Sequence, residues 1–198
     1  MSRFEKKFIL NPIYISQFRA DLFRQGYRKI FKDRTVNSVY FDDKNLNSYY
    51  ENINGLSKRT KFRLRFYSEI FEGEGFWEQK IKHADTNHKK VQKYRGEVVP
   101  LIQLQFPRKE QLMPLVHVQY SREYYYSEKT AIRVTIDSSI KFINLKNSIS
   151  YPHNELVVEY KSSVNNPVKN VPKILSNLSR SSKYCKAISV HGFASELY

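Results

Sequence analysis

The sequence predicts a mainly β fold of the α+β class, an antiparallel barrel with a few flanking helices. Segments in which apolar and polar residues alternate follow one another along most of the chain. Stretches with helical spacing are few and do not alternate with strands as βαβ units would. Aromatic residues make up 15% of the 198 residues, mostly as 15 Tyr and 13 Phe, types that favour strands.

Arg3–Leu10 alternates and reads as the first strand. Pro12 opens a new element, in which Ile15, Phe18, Leu22 and Phe23 recur at helical spacing and Gly26 suits the stop. Thr35–Phe41 is β-branched and aromatic, hence a strand. Leu46, Tyr49, Tyr50 and Ile53 place a short helix within Asn45–Asn54. Strands follow at Thr60–Ile70, Gly75–Lys82, Val118–Ser127, Thr130–Asp137, Ile140–Asn144 and Leu156–Lys161. Glu74-Gly75 and Ser127–Lys129 read as hairpin connections. Pro167–Leu178 reads as a closing helix, with Val168, Val171, Ile174, Leu175 and Leu178 on one side, despite Pro172 inside it.

A hydrophobic share of 40% and a charged share of 27% allow a real core. No repeat or linker divides the chain, so one domain over residues 1–198 is expected. The net charge of +15 directs attention to polyanionic partners. Cys185 stands alone, which excludes an intrachain disulfide and a cysteine metal site. Glycine is scarce, and neither GxxxxGK[ST] nor GxGxxG occurs, which argues against glycine-rich phosphate loops. No signal peptide precedes the first strand, and no apolar run approaches the roughly 18–20 residues that span a bilayer. A cytoplasmic location is expected.

The polar positions of the strands are dominated by charge. In Lys61-Phe62-Arg63-Leu64-Arg65-Phe66 the odd positions are all cationic and the even ones all apolar. Period-two geometry puts Lys61, Arg63 and Arg65 on one face. The same parity joins Arg3, Glu5 and Lys7; Glu78, Lys80 and Lys82; Arg133, Thr135 and Asp137; and Glu155, Val157, Glu159 and Lys161. Tyr120, Arg122 and Tyr124 alternate with Ser121, Glu123 and Tyr125. Any one such strand would be read as a solvated outer face. Like charges repeated on strand after strand repel one another and call for a polyanion between the rows. If the sheet closes with this face inward, the rows line a tunnel, and arginine suits phosphate because its planar fork bonds two oxygens at once.

Glu5, Glu78, Glu155 and Glu159 lie on the same faces. They either pair with the cations or hold a hard divalent ion, which takes one or two carboxylates plus phosphate oxygens; spacing alone does not choose among them. His83 and His88, set among lysines with no third histidine or cysteine nearby, read as part of a solvated basic loop rather than a zinc site. Arg180-Ser181-Ser182-Lys183-Tyr184 reads as a basic turn that could hold a phosphate if it opened a helix.

Ser38-Val39-Tyr40-Phe41-Asp42, then Leu46 and Tyr49, then Lys61-x-Arg63-x-Arg65-x-Tyr67 resembles the VTC domain. That is the catalytic domain of the vacuolar transporter chaperone polyphosphate polymerases, in the triphosphate tunnel metalloenzyme (CYTH-like) superfamily. Supporting pieces occur in the family's order: Arg3-Phe4-Glu5-x-Lys7, Glu78-x-Lys80, Tyr120-x-Arg122-x-Tyr124-Tyr125, Arg133-x-Thr135-x-Asp137, Glu155-x-Val157-x-Glu159-x-Lys161 and Ser182-Lys183-Tyr184. The resemblance implies an eight-stranded antiparallel tunnel barrel. It implies phosphate binding by Lys7, Lys61, Arg63, Arg65, Lys80, Lys93, Arg122, Arg133, Arg180 and Lys183. It implies catalytic roles for Lys80, Arg63, Arg65 and Glu159, and a Mn2+ or Mg2+ ion on Glu159, with Glu5 as a second candidate ligand. Tunnel hydrolases open with Glu-x-Glu-x-Lys; Arg3 stands in the first place here, which favours the polymerase branch.

The expected activity is transfer of the terminal phosphate of ATP to a growing polyphosphate. The alternatives are a metal-dependent triphosphatase on inorganic or nucleoside triphosphates, and a polyphosphate-binding module without turnover. Nucleic acid is disfavoured as a partner, because the basic residues occupy strand faces and no RNP-like motif is present. A membrane protein would be a further partner if polyphosphate has to cross a bilayer, since the membrane spans of eukaryotic polymerase subunits have no counterpart in this sequence.

Overall fold

The structure, a computed structural model, describes residues 3–68, 74–83, 86–95, 112–163, 171–172, 174–175, 178–179 and 182–193. The chain forms two compact units, one of Met1–Arg34, Tyr120–Ile140 and His153–Ser181, the other of Thr35–Gln119, Lys141–Pro152 and Ser182–Tyr198.

In the first unit β1 (Arg3–Leu10) pairs antiparallel with β10 (Leu156–Ser163), and β10 with the first part of β8 (Ile132–Asn144). The last part of β7 (Met113–Ser127) follows β8 in the sheet and also pairs with the short β2 (Arg28–Lys29). The alternation read from the sequence sorts the side chains. Phe8, Leu10, Val134, Ile136, Val158 and Tyr160 face a common core, onto which α1 (Ile15–Arg24) lays Phe18 and Leu22, one helical turn apart. Buried Glu123 fastens that helix, accepting from Arg19 at 2.7 and 3.1 Å and from the Tyr125 hydroxyl at 2.7 Å.

In the second unit the order is β7, β3 (Arg34–Asp42), β4 (Lys58–Phe66), β5 (Glu74–His83) and β6 (Thr86–Arg95). Val39, Leu64 and Trp77 stand opposite one another on successive strands and anchor its core with Phe41, Phe62 and Phe66. Asp42 accepts from the backbone amides of Ser48 and Tyr49, at 2.9 Å each, and so caps α2 (Asn47–Ile53). The last element is α3 (Lys183–Val190), N-capped by Ser182. The short β9 (Ser150–His153) pairs with β8.

The main path of the sheet has eight strands, in the order β1, β10, β8, β7, β3, β4, β5, β6, with β2 and β9 off it. The mainly antiparallel fold with flanking helices is as expected; the hydrogen-bonded path is linear among the described residues, with β1 and β6 at its ends. The structure changes several local readings. The basic loop around His83 and His88 is a hairpin, because β6 pairs with β5 from His83–Thr86 to Glu74–Arg95. Glu74 and Gly75 are therefore strand residues rather than a turn. Gly75 is required by packing, since a Cβ there would lie 2.7 Å from the Phe66 ring. Thr130 belongs to the turn before β8, and the two segments read after it are one strand, with Ser139 at φ 50 inside it. Most of the expected closing helix lies outside the described residues. Its described part is not helical: the Leu175 amide donates to the Pro172 carbonyl, and Leu178 bridges to Phe8. No described helix is long and apolar enough to cross a membrane.

Candidate functional site

Behind the core of the second unit, the opposite face of β3–β6 gathers the cations that alternation placed together. Register sets Arg63 opposite Tyr40 on one side and Glu78 on the other, and Arg65 opposite Ser38 and Phe76. Lys61 stands opposite Lys80, and Lys80 opposite Lys89. Directly paired residues share a face with Cβ atoms about 4.5–5.5 Å apart, so three ammonium side chains form a row across β4, β5 and β6. Lys93 lies on the same face of β6, exposed, with Glu74 at 2.8 Å.

Glu78, 3% exposed, is the hub of this face. Its Oε2 accepts from Arg63 Nε at 2.5 Å and also pairs with Arg63 Nη2, with Arg65 Nη1 at 3.9 Å. Its Oε1 takes Lys89 Nζ at 2.6 Å. Burial pushes its carboxyl up, but Arg63, Arg65 and Lys89 outweigh that and hold it at about 2. Arg63 also donates to the Tyr40 hydroxyl at 3.2 Å, and Arg65 to Ser38 Oγ at 3.2 Å. Burial raises the Tyr40 phenol, yet Arg63, Arg65 and Lys183 bring it down to about 8.

The start of α3 belongs to this unit. Lys61 donates to Ser182 Oγ at 2.8 Å, and the Tyr184 ring stacks on Tyr40 with centroids 5.2 Å apart. The Tyr184 hydroxyl donates to Asp42 Oδ2, tying α3 to the residue that caps α2. Burial and the neighbouring Asp42 push the Tyr184 phenol up, so it stays protonated. Of the basic turn read from the sequence, Ser182 caps α3 and Lys183 and Tyr184 open it, while Arg180 and Ser181 lie outside the described residues.

The first unit carries a different pattern on the face opposite its core. Lys7 stands opposite Glu159, and Glu5 opposite Lys161, on β1 and β10. Glu159 and Lys161 stand opposite Thr135 and Arg133 on β8. Lys7 pairs with Glu5 at 2.7 Å and Lys161 with Glu159 at 2.9 Å. Burial raises the Glu159 carboxyl, but Lys7, Lys161 and Arg122 depress it far more strongly. Arg122 donates to buried Asp137 through Nε at 2.5 Å and Nη2 at 2.7 Å. Carboxylates and cations alternate here, whereas the Arg63 face is cation-rich. Arg133 is exposed. Glu155 lies just before β10 and pairs with His153 at 3.0 Å. Arg180 lies outside the described residues.

The sequence matches the VTC domain family over residues 2–107 and again over residues 96–191. The chain belongs to that family. No curated protein matches it. Among solved structures it is similar to a Bacillus halodurans protein provisionally named an adenylate cyclase, at 14% identity over 82% of each chain with a TM-score of 0.53. It is similar to a Pyrococcus horikoshii OT3 protein at 13% identity over 95% of this chain and 99% of that one, TM-score 0.54. A Vibrio parahaemolyticus protein, also provisionally named an adenylate cyclase, matches at 9% identity over 100% and 87%, TM-score 0.50. At these identities the likeness is one of fold.

In this VTC domain no group of three or more His, Cys, Asp or Glu is arranged to hold a metal among the described residues. A divalent ion that arrives with phosphates needs only one or two carboxylates besides phosphate oxygens and water; of the two carboxylates expected to hold one, Glu5 is paired with Lys7 and Glu159 with Lys161. The sequence reading missed Lys89. Its signal was present in Lys89-x-Val91-x-Lys93, but β6 has Val91 and Tyr94 as its only large apolar residues, so no apolar alternation marked a strand.

Proposed function

We propose that this VTC domain is a nucleotide-dependent polyphosphate polymerase, which transfers the terminal phosphate of ATP to a growing chain of phosphates. The observation that supports it most is the Lys61–Lys80–Lys89 row beside Arg63 and Arg65. A linear anion with charge on every unit matches a row of cations; a compact anion does not. In the transfer, the bond from the β–γ bridging oxygen to the γ-phosphorus breaks. A terminal oxygen of the acceptor chain bonds that phosphorus, and ADP leaves. Phosphoryl transfer depends on positioning and on offsetting charge at the transferred group, roles for Arg63, Arg65 and Lys80. Lys61, Lys93 and Lys183 are assigned to holding the phosphates, as are Lys7, Arg122, Arg133 and Arg180. Glu159, with Glu5, is assigned to a Mn2+ or Mg2+ ion, which when bound supplies positive charge to the phosphate oxygens.

The test is incubation with ATP and Mn2+, with products separated on a phosphate-chain gel. Chains longer than the donor are expected. Release of inorganic phosphate alone would replace the polymerase by a triphosphatase. Tight polyphosphate binding without turnover would reduce it to a binding module, and displacement of polyphosphate by single-stranded RNA at equal phosphate concentration would redirect it to nucleic acid.

A further inference from the structure

A chain of phosphates presents no apolar surface, yet the cationic face of β4 and β5 ends in an aromatic pair. Phe76 stands opposite Arg65, on the face of Arg63 and Glu78, and Lys93 stands opposite Phe76 on the other side. Just past the end of β4, the Tyr67 ring packs edge-on against Phe76, with centroids 6.0 Å apart and planes at 64°. The Arg65 guanidinium carbon lies 5.9 Å from the centre of the Tyr67 ring. Both contacts hold Tyr67 to the cationic face.

Exposure sets this pair apart from Tyr40, which lies on the same face but is 6% exposed and covered by the Tyr184 ring. Tyr67 is 39% exposed and Phe76 is half-buried. Open aromatic surface beside arginines matches a ligand that is flat and apolar at one end and anionic at the other. A nucleobase with its phosphates has that form. Bases stack on aromatic side chains through a π-face that every base has, and a neighbouring arginine adds a cation–π contact. From Phe76 the same face of β5 continues through Glu78, beside Arg63, to Lys80, beside Lys61 and Lys89, in steps of about 6.6 Å. A base on Tyr67 and Phe76 therefore puts its phosphates over Arg65 and Arg63, with the lysines beyond.

We propose that Tyr67 and Phe76 seat the base of the nucleotide donor, so that this face tells a nucleoside triphosphate from an inorganic one by an aromatic contact at its Arg65 end. The inference rests on the reading that the donor's phosphates bind this face, and it adds the residues that hold the nucleoside.

Titration calorimetry with ATP and with tripolyphosphate tests it on the full chain, without divalent ion so that no donor is consumed. The wild type should bind both. Tyr67→Ala should weaken ATP about tenfold, the scale of one base–aromatic stack, and leave tripolyphosphate near wild type. Tyr67→Phe keeps the ring and should restore ATP affinity. Phe76→Leu keeps the bulk without the ring and should repeat the selective loss. Equal losses for both ligands in Tyr67→Ala would make Tyr67 a support for Arg65 and overturn the proposal. ATP affinity unchanged in folded Tyr67→Ala and Phe76→Leu would overturn it too, as would a wild type that binds tripolyphosphate but not ATP. Each of these results leaves phosphate binding at this face intact. A wild type that binds no tripolyphosphate would instead remove that underlying reading, and the proposal with it.

Discussion

Replacing Arg63 by alanine should unsettle the fold before it affects any reaction. Arg63 gives Glu78 two of its donors, while Arg65 remains at 3.9 Å and Lys89 at 2.6 Å. Glu78 is 3% exposed and cannot turn to water. Breaking a buried ion pair by removing one partner costs about 3–5 kcal/mol; with Lys89 still in place, about 3 kcal/mol is expected. For a protein of this size each kcal/mol is worth about 2–4 °C of melting temperature, which gives a fall of about 6–12 °C. Calorimetric melts of wild type, Arg63→Ala, Glu78→Gln and the double variant measure it. The double variant removes the charge that Arg63 no longer offsets, so it should melt above Arg63→Ala, with a coupling of about 1–3 kcal/mol between the sites. Arg63→Ala melting within about 1 °C of wild type, or a double variant no more stable than that single one, would refute the buried-pair reasoning.

Glu159→Gln should still bind polyphosphate but lose Mn2+-dependent ATP consumption; a fall in melting temperature with turnover per folded molecule retained would make Glu159 a structural partner of Lys161 and remove it from the site. The Tyr40 phenol should ionise near pH 8, seen as near-ultraviolet phenolate absorbance that Tyr40→Phe abolishes and bound tripolyphosphate moves to higher pH. Glu78 should contribute stability fully above its ordinary value of 4.5, and lose it as pH falls towards about 2, because its folded-state carboxyl is the depressed one; acid melts of Glu78→Gln should lack that component. Tripolyphosphate affinity should weaken steadily with added salt, as several charge-assisted contacts require, and a salt-independent affinity measured by calorimetry would contradict binding by the cationic rows.

Elements whose pattern repeats locally were legible without coordinates. β1 begins and ends where its alternation does, and α1 where its spacing and Gly26 place it. The shared face of Lys61, Arg63 and Arg65 follows from period two alone. The described residues of the expected closing helix are not helical, where a run of apolar residues with helical spacing outweighed Pro172, and α3 was hidden by its basic first turn. β6 was hidden because its partner, not its own apolar content, makes it a strand: its pairing with β5 satisfies the backbone that its side chains could not bury.

Charge parity within each strand, and with it the call for a polyanionic ligand, is a property of the chain, since successive side chains must point to opposite faces whatever they pair with. Which cation meets which carboxylate is not. Glu78 lies thirteen residues or more from Arg63 and Arg65 along the chain, and only the β4–β5 register brings it to Arg63 rather than to Lys61. A slip of two residues would keep every parity and change every partner. The alternation of charge on the Glu159 face and the lysine row on the Glu78 face therefore come from strand pairing, where long-range hydrogen bonds and core packing fix a register that no local pattern specifies.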